Sequence, residues 1–270
     1  MRIYQPARGV GAALQENSFI VIDDVGTEIG FGGLTGRMLE RMYPDRPLAL
    51  EMTCDAHPAA ADMLFGALSA RAERMKAMSG VPAARLFTRC GMEDEPRKEY
   101  LARMGFDDFD GTELFVLNVE KNAGRRKTYP PAGTKSIDVD LSSRIRREQF
   151  LLRLKAYGAP EHASEWLEER MRGPVFFARA VYSGSDLAGE LLLTGQQSEA
   201  VLEMVYTTPK WRSRGTASAL VGEAQSLLEA QGVPWLTARA ERRNGNATRL
   251  FQRCGFDWIR TEELLLGRNI

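Results

Sequence analysis

The sequence predicts an α/β (α+β) fold laid out as two tandem copies, and three observations carry that expectation. β-Branched and aromatic runs such as Val201–Tyr206 alternate with helix-period stretches, here one with Ala217, Leu220, Val221, Ala224, Leu227 and Leu228 on a single face. Leu50-Glu51-Met52 recurs as Leu202-Glu203-Met204, and Gly80-Val81-Pro82 as Gly232-Val233-Pro234, both at an offset of 152 residues. Gly105-Phe106 matches Gly255-Phe256 two residues out of that register, and acidic-apolar strands (Glu113–Leu117 and Glu262–Leu266) end both copies. The boundaries expected from this pattern are 1–124 and 134–270. Between them Asn122–Gly133 is rich in basic, Gly and Pro residues without periodicity and reads as a linker, its Arg125-Arg126-Lys127 a solvated trio.

The chain has 270 residues, 44% of them hydrophobic, enough for one large domain or two modest ones. Lys plus Arg (36) equals Asp plus Glu (36), so no bulk field draws it to nucleic acid or to an anionic membrane. Cys54, Cys90 and Cys254 are an odd, sparse set that points to a reducing cytoplasm rather than a disulfide framework. The N-terminal Met1–Pro6 lacks a signal-peptide core, and no run approaches the roughly 20 apolar residues that span a bilayer. A cytoplasmic protein is expected.

The second copy is the richer one. A short strand near Ser136–Val139 leads through Leu141-Ser142-Ser143, an N-cap signal, into a helix over Arg144–Tyr157 with Ile145, Leu151, Leu152 and Leu154 as its apolar set and Gly158 as its stop. A second helix over Ser164–Arg172 ends at Gly173, and Val175–Tyr182 with Leu187–Thr194 reads as a hairpin. The strand over Val201–Tyr206 is stopped by Pro209, the helix after it by Gly232, and Pro234–Ala240 forms another strand. The first copy has only a short polar stretch between Ile3 and Phe19, with no room for the helix pair.

Between strand and helix lies Arg212-x-x-Gly215-x-Ala217. The first N–H groups of a helix lack internal partners, and its dipole favours an anion there. Gly215 lets a phosphate approach the backbone, and Arg212 and Arg214 add charge. Downstream stand Asn244, Ala247, Leu250, Phe251 and Cys254-Gly255-Phe256. Over Val201–Phe256 this order of strand, basic Gly turn, helix, strand and Asn-x-x-Ala-x-x-Leu-(aromatic)-x-x-x-Gly-Phe resembles the core of the GNAT N-acetyltransferase superfamily.

The resemblance implies two GNAT-like domains, each a mixed, mostly antiparallel twisted sheet flanked by helices, with acetyl-CoA as cosubstrate and a small-molecule or peptide amine as acceptor. It implies that Val205, Tyr206 and Thr207 bond the pantetheine, that Ser213, Arg214, Gly215, Thr216, Ala217 and Ser218 meet the diphosphate beside Arg212, and that Asn244, Ala247 and Phe251 lie along the coenzyme. It also implies that the loop Gly158–Ala163 covers the acceptor, and that the molecule is a monomer with an internal pseudo-dimer or a homodimer. The first copy departs from the pattern: Ala60, Met63 and Phe65 stand where Arg212, Gly215 and Ala217 stand in the second, so it is expected not to bind CoA.

An exposed amine titrates near 10.4, so acyl transfer requires a base or a desolvating pocket. Glu203 is the candidate general base, set against a plain strand residue or an arginine partner, since Glu51 holds the same place in the first copy. Glu241 is the second candidate. At the position where the family often has a tyrosine to protonate the leaving sulfur stands Phe251, with Tyr206 or water as substitutes. The alternative function is a non-catalytic CoA-binding sensor or scaffold. Glu165, Glu168 and Glu169 can face a cationic acceptor or form a solvated helix face.

Other patterns carry less. Gly30–Gly36 misses the Gly-x-Gly-x-x-Gly spacing and reads as a twisted strand with close backbone approach. Cys54-x-x-His57 is half a zinc site with no second half, so no metal is expected. Cys254 reads as a buried thiol, and Met38, Met42, Met63, Met75 and Met78 as core filling.

Overall fold

The computed structural model describes residues 1–40, 43–122, 129–157 and 163–270. In chain order the elements are β1 (Arg2–Tyr4), β2 (Ser18–Ile22), β3 (Glu28–Met38), β4 (Leu48–Ala56), α1 (Pro58–Ser79), β5 (Ala84–Gly91), α2 (Glu95–Arg103), β6 (Asp107–Asn118) and the single turn α3 (Val119–Asn122). They continue with β7 (Lys135–Asp138), α4 (Arg144–Lys155), α5 (Ser164–Met171), β8 (Val175–Ser183), β9 (Asp186–Gly195), β10 (Ala200–Thr207), α6 (Thr216–Gln231), β11 (Trp235–Glu241), α7 (Gly245–Arg253) and β12 (Asp257–Asn269). Alternating β and α elements on mixed, mostly antiparallel sheets are the expected architecture.

Two compact units result: Met1–Gly111 with Glu262–Ile270, and Thr112–Thr261. In the first, the strand order is β1-β2-β3-β4-β5-β12; in the second it is β6-β11-β10-β9-β8-β7. Within each unit one neighbouring pair is parallel, β4 with β5 and β10 with β11. The remaining pairs within each unit are antiparallel. The sixth strand of the first unit comes from the C-terminal residues of the chain, and that of the second from the residues that directly follow Gly111. Residues 263–269 of β12 pair with 85–91 of β5, and residues 112–118 of β6 pair with 235–241 of β11.

The second unit is cored on both sheet faces. Leu191, Leu193, Leu202 and Leu236 pack under Leu220, Val221 and Leu228 of α6 and Phe251 of α7. On the opposite face Leu192 and Tyr206 pack under Phe150, Leu151 and Leu154 of α4 and Leu167 of α5. Full burial of a side chain of this size contributes about 1.5–3 kcal/mol, so both helix layers are held mainly by apolar contact. The apolar set expected on α4 is corrected here. Ile145 and Leu152 face solvent at 67% and 65% exposure, because Phe150 with Leu151 and Leu154 already forms the buried stripe.

In the first unit Leu34, Leu50, Met52 and Leu86 pack against Leu64, Leu68 and Ala72 of α1. Between β1 and β2 stands only the single 3-10 turn Gln15–Asn17, with no helix pair. The close approach expected of the Gly30–Gly36 stretch is visible at Gly32, where a Cβ would meet Thr53 O at 2.6 Å. Met38, Met63 and Met78 are exposed rather than core, lying on the outer sides of β3 and α1, while Met75 packs against the core. Met42 and the Arg125-Arg126-Lys127 trio lie outside the described residues.

Candidate active site

β10 is laddered to β9 along its whole length, Ala200–Thr207, but to β11 only through Ala200, Leu202 and the residue between. Beyond Leu202 the two parallel strands part. The backbone of residues 203–207 therefore offers N–H and C=O groups on one edge with no strand among the described residues to take them. The break coincides with an irregularity in the β9–β10 register between Leu202 and Met204, which makes Glu203 the bulged residue.

Val205 and Tyr206 point to opposite faces, Val205 into the α6 side and Tyr206 into the α4–α5 side. Glu203 is half-buried and accepts a hydrogen bond from Thr194 Oγ1 at 2.6 Å, on the face that Thr194 shares with Leu192 and Glu190. Glu51, its counterpart in the first unit, instead accepts from Arg89 Nε at 2.5 Å and also faces Arg37. The same repeat position thus carries an ion pair in one unit and a carboxylate bonded to a neutral hydroxyl in the other.

After Thr207 the chain makes a 3-10 turn, Pro209–Trp211, anchored by the buried Trp211 ring. Ser213 (φ 59°) and Gly215 (φ 86°) are both left-handed. Alternating such residues with right-handed ones turns successive N–H groups toward one point, the geometry of an anion nest. Among the described residues, the backbone N–H groups of Ser213, Arg214, Gly215, Thr216 and Ala217 donate to no protein acceptor, and the Gly215 N-cap has no side-chain bond. Ser213, Arg212 and Arg214 are exposed, with the Arg214 guanidinium 5.3 Å from the Trp211 ring centre. Thr216 is 1% exposed, and its hydroxyl finds no partner among the described residues. Ser218 is half-buried and bonds the Cys254 thiol, whose pKa burial pushes up to about 11.

The same stretch of the first unit is built differently. α1 starts at Pro58, almost directly after β4, where the second unit has residues 208–215 as a loop. Pro58 has no N–H, Ala59 N–H donates to His57 Nδ1, and Ala60 N–H donates to His57 O. The start of this helix is capped by the chain itself, which also gives His57 a role other than metal ligation. Phe65 is core and Met63 is on the helix surface.

The other candidates are scattered in role. Asn244 caps α7, its Oδ1 accepting from Ala247 N–H at 3.2 Å, and Ala247 packs against the core. Asp94 caps α2 in the same way at the corresponding place. Phe251 is buried, its ring 5.2 Å from Phe115 and 5.3 Å from Phe256. The Tyr206 hydroxyl donates to Glu190 and is pushed well above the ordinary tyrosine range by burial and by that carboxylate. Its proton is held in place, which removes it as a ready donor to sulfur. Glu168 bonds Arg147 of α4, while Glu165 and Glu169 are exposed. Glu241 is half-buried at the end of β11. Residues 158–162 of the acceptor loop lie outside the described residues.

Sequence reasoning missed Thr194, Glu190 and Arg153. The signal for Glu190 was present: a lone acidic residue within the apolar run Leu187–Leu193, which a buried strand tolerates only with partners.

The model of the acetyltransferase (GNAT) family matches residues 143–256. The chain superposes on a GCN5-related N-acetyltransferase from Sphaerobacter thermophilus with a TM-score of 0.53 and 16% identity, covering 96% of this chain and 82% of that one. A conserved protein of unknown function from Enterococcus faecalis V583, described as a probable N-acyltransferase, gives a TM-score of 0.57 at 11% identity over 93% of this chain and 61% of that one. Eis1 from Mycobacterium abscessus gives 0.53 at 13% identity over 95% and 67%. At these identities the likeness is one of fold. No curated protein matches the chain by sequence. The matched stretch, residues 143–256, is the one that holds the parted strands and the bare amides, and its likeness is to the acetyltransferase (GNAT) family.

Proposed function

We propose that the chain is an N-acyltransferase that moves an acyl group, acetyl in the simplest case, from CoA to an amine in the cleft between β10 and β11. The observation that supports this best is the run of backbone N–H groups over residues 213–217 with no protein acceptor, beside Arg212. Such groups at a helix N-terminus suit a diphosphate. The unladdered edge of residues 203–207 suits the amide groups of a pantetheine arm, with the thioester carried toward Glu203.

In this reading the neutral amine attacks the thioester carbonyl carbon, the C–N bond forms and the C–S bond breaks. The amine's proton passes to Glu203, directly or through water, and the thiolate leaves. A thiol of pKa about 8.5 is a tolerable leaving group, so the missing hydroxyl at Phe251 slows protonation of sulfur without preventing turnover. The acceptor is a small-molecule or peptide amine, and the coenzyme is acetyl-CoA or a related acyl-CoA. The first unit, with its capped helix start, takes no coenzyme at that position.

Calorimetry with CoA tests the reading. The unaltered chain binds, and Arg212→Glu weakens binding about tenfold at low ionic strength, less as salt rises. Unchanged affinity in the variant counts against the cradle. A second reading, a CoA-binding protein without turnover, is favoured by the buried ring of Phe251 where a proton donor is wanted. Release of free thiol from acetyl-CoA in the presence of an amine panel separates the two, since a sensor binds and releases nothing.

A further inference from the structure

The end of β10 that meets the cleft has a ladder on one side only, from Glu203 to Thr207. A strand end so placed is free to shift unless something else holds it. The side chains supply that hold. Glu190 on β9 is fully buried and lies directly opposite Tyr206 in the β9–β10 register. The Tyr206 hydroxyl donates to Glu190 Oε2. Arg153 of α4 donates to the same carboxylate through Nε, at 3.1 Å and 3.0 Å, and through Nη2 at 2.7 Å. The Tyr206 ring also stacks on Tyr157, just past α4, with centres 3.8 Å apart and planes at 14°.

A carboxylate removed from water this completely persists only if paired and hydrogen-bonded, so it pulls both partners into a narrow geometry. Tyr206 packs in the same apolar layer as Leu192 and Leu154, which leaves the phenol little freedom to swing. The consequence is mechanical: the otherwise one-sided end of β10 is fastened through Tyr206 and Glu190 to helix α4.

We propose that Glu190 is a positioning residue for the coenzyme: acting through Tyr206, it fixes the open edge of β10 and so the Val205–Thr207 backbone that holds the pantetheine arm. This rests on the coenzyme reading of the cleft. The nucleotide end of the coenzyme is held elsewhere, by the amides of residues 213–217, and does not depend on Glu190. The two halves of one ligand therefore respond differently to loss of this cluster.

Calorimetry on the full chain with two probes tests the inference: CoA, and adenosine 3′-phosphate 5′-diphosphate, which is the coenzyme without its pantetheine arm. Tyr206→Phe removes one oxygen and keeps the ring on Tyr157. Glu190→Gln keeps the shape and removes the charge. Each raises the Kd for CoA about tenfold and leaves that for the nucleotide within about twofold. The double variant loses no more than the worse single one, because both act through one network. Unchanged CoA affinity in Tyr206→Phe overturns the inference, as does equal weakening of both probes, which marks general loosening of the fold. Should Glu190→Gln fail to fold, Tyr206→Phe alone decides. An unaltered chain that binds neither probe sinks the coenzyme reading itself and this inference with it; one that binds both, with insensitive variants, sinks only the role of Glu190.

Discussion

Thr194 Oγ1 donates to Glu203 Oε1 across 2.6 Å, so the carboxylate of the bulged residue is aimed by its neighbour strand rather than left to swing in solvent. A base held in one orientation accepts a proton along a defined path. Glu203→Gln is isosteric and keeps the Thr194 contact while removing the base. It should lower kcat by about 10²- to 10⁴-fold and leave the Kd for CoA unchanged. Turnover equal to that of the unaltered chain from about pH 7 to pH 9 would rule the base role out.

Gly215 is left-handed at φ 86°, yet a Cβ built there meets nothing within 4 Å. The obstacle to a side chain is thus backbone strain alone. Gly215→Ala should destabilise by about 1–2 kcal/mol and weaken CoA binding. Gly66, inside α1 with open space around it and an ordinary helical φ, provides the contrast. Gly66→Ala should stabilise by about 0.5–1 kcal/mol. Urea unfolding of the two variants measures both signs.

Glu113 sits on β6 and takes bonds from Arg242 Nε at 3.0 Å, Thr261 Oγ1 at 3.1 Å and the Trp258 indole. Burial raises its carboxyl, but the three donors outweigh that and hold it below the ordinary 4.5. A depressed carboxyl stabilises the fold above its unfolded value and loses that contribution as pH falls through the folded one. Glu113→Gln should therefore cost about 1–3 kcal/mol near neutral pH. The deficit should shrink as pH falls below about 4.5, where Glu113 of the unfolded chain takes up a proton, and vanish once the folded carboxyl is protonated as well. Urea midpoints at neutral and acid pH show whether the two curves converge; a constant gap would contradict the assignment.

In the first unit Arg85 and Asp110 form an ion pair at 3.2 Å with side chains 2% and 0% exposed, and the guanidinium lies 4.1 Å from the Tyr43 ring centre. Asp110→Ala leaves a buried charge uncompensated and should cost about 3–5 kcal/mol. Replacing both residues by apolar ones of similar volume should restore much of that loss, which thermal unfolding of the single and double variants would report.

Much of this was legible beforehand because the signals are local. Pro209 ends a strand, Gly232 at φ 68° ends α6, Ser143 caps α4, and each acts through its own backbone conformation. The cradle too is a local affair of Arg212, Gly215 and the helix that follows. Phe251 shows the limit: a motif position names a residue, but whether its ring faces a ligand or a core depends on partners such as Phe115, 136 positions earlier in the chain. Ile145 and Leu152 mislead for a related reason, since several faces of a short helix can look apolar and only the sheet beneath selects one.

Local residue preferences suffice for the alternation of strands and helices, the repeat, and the bare helix start, because propensity, turn chemistry and capping act over a few residues. Long-range pairing in the folded chain sets which strand completes each unit, where β10 and β11 part, and the burial of Glu190 against Arg153 and Tyr206. Those outcomes depend on ladder pairing and charge burial between residues far apart in the chain, where no local preference reaches.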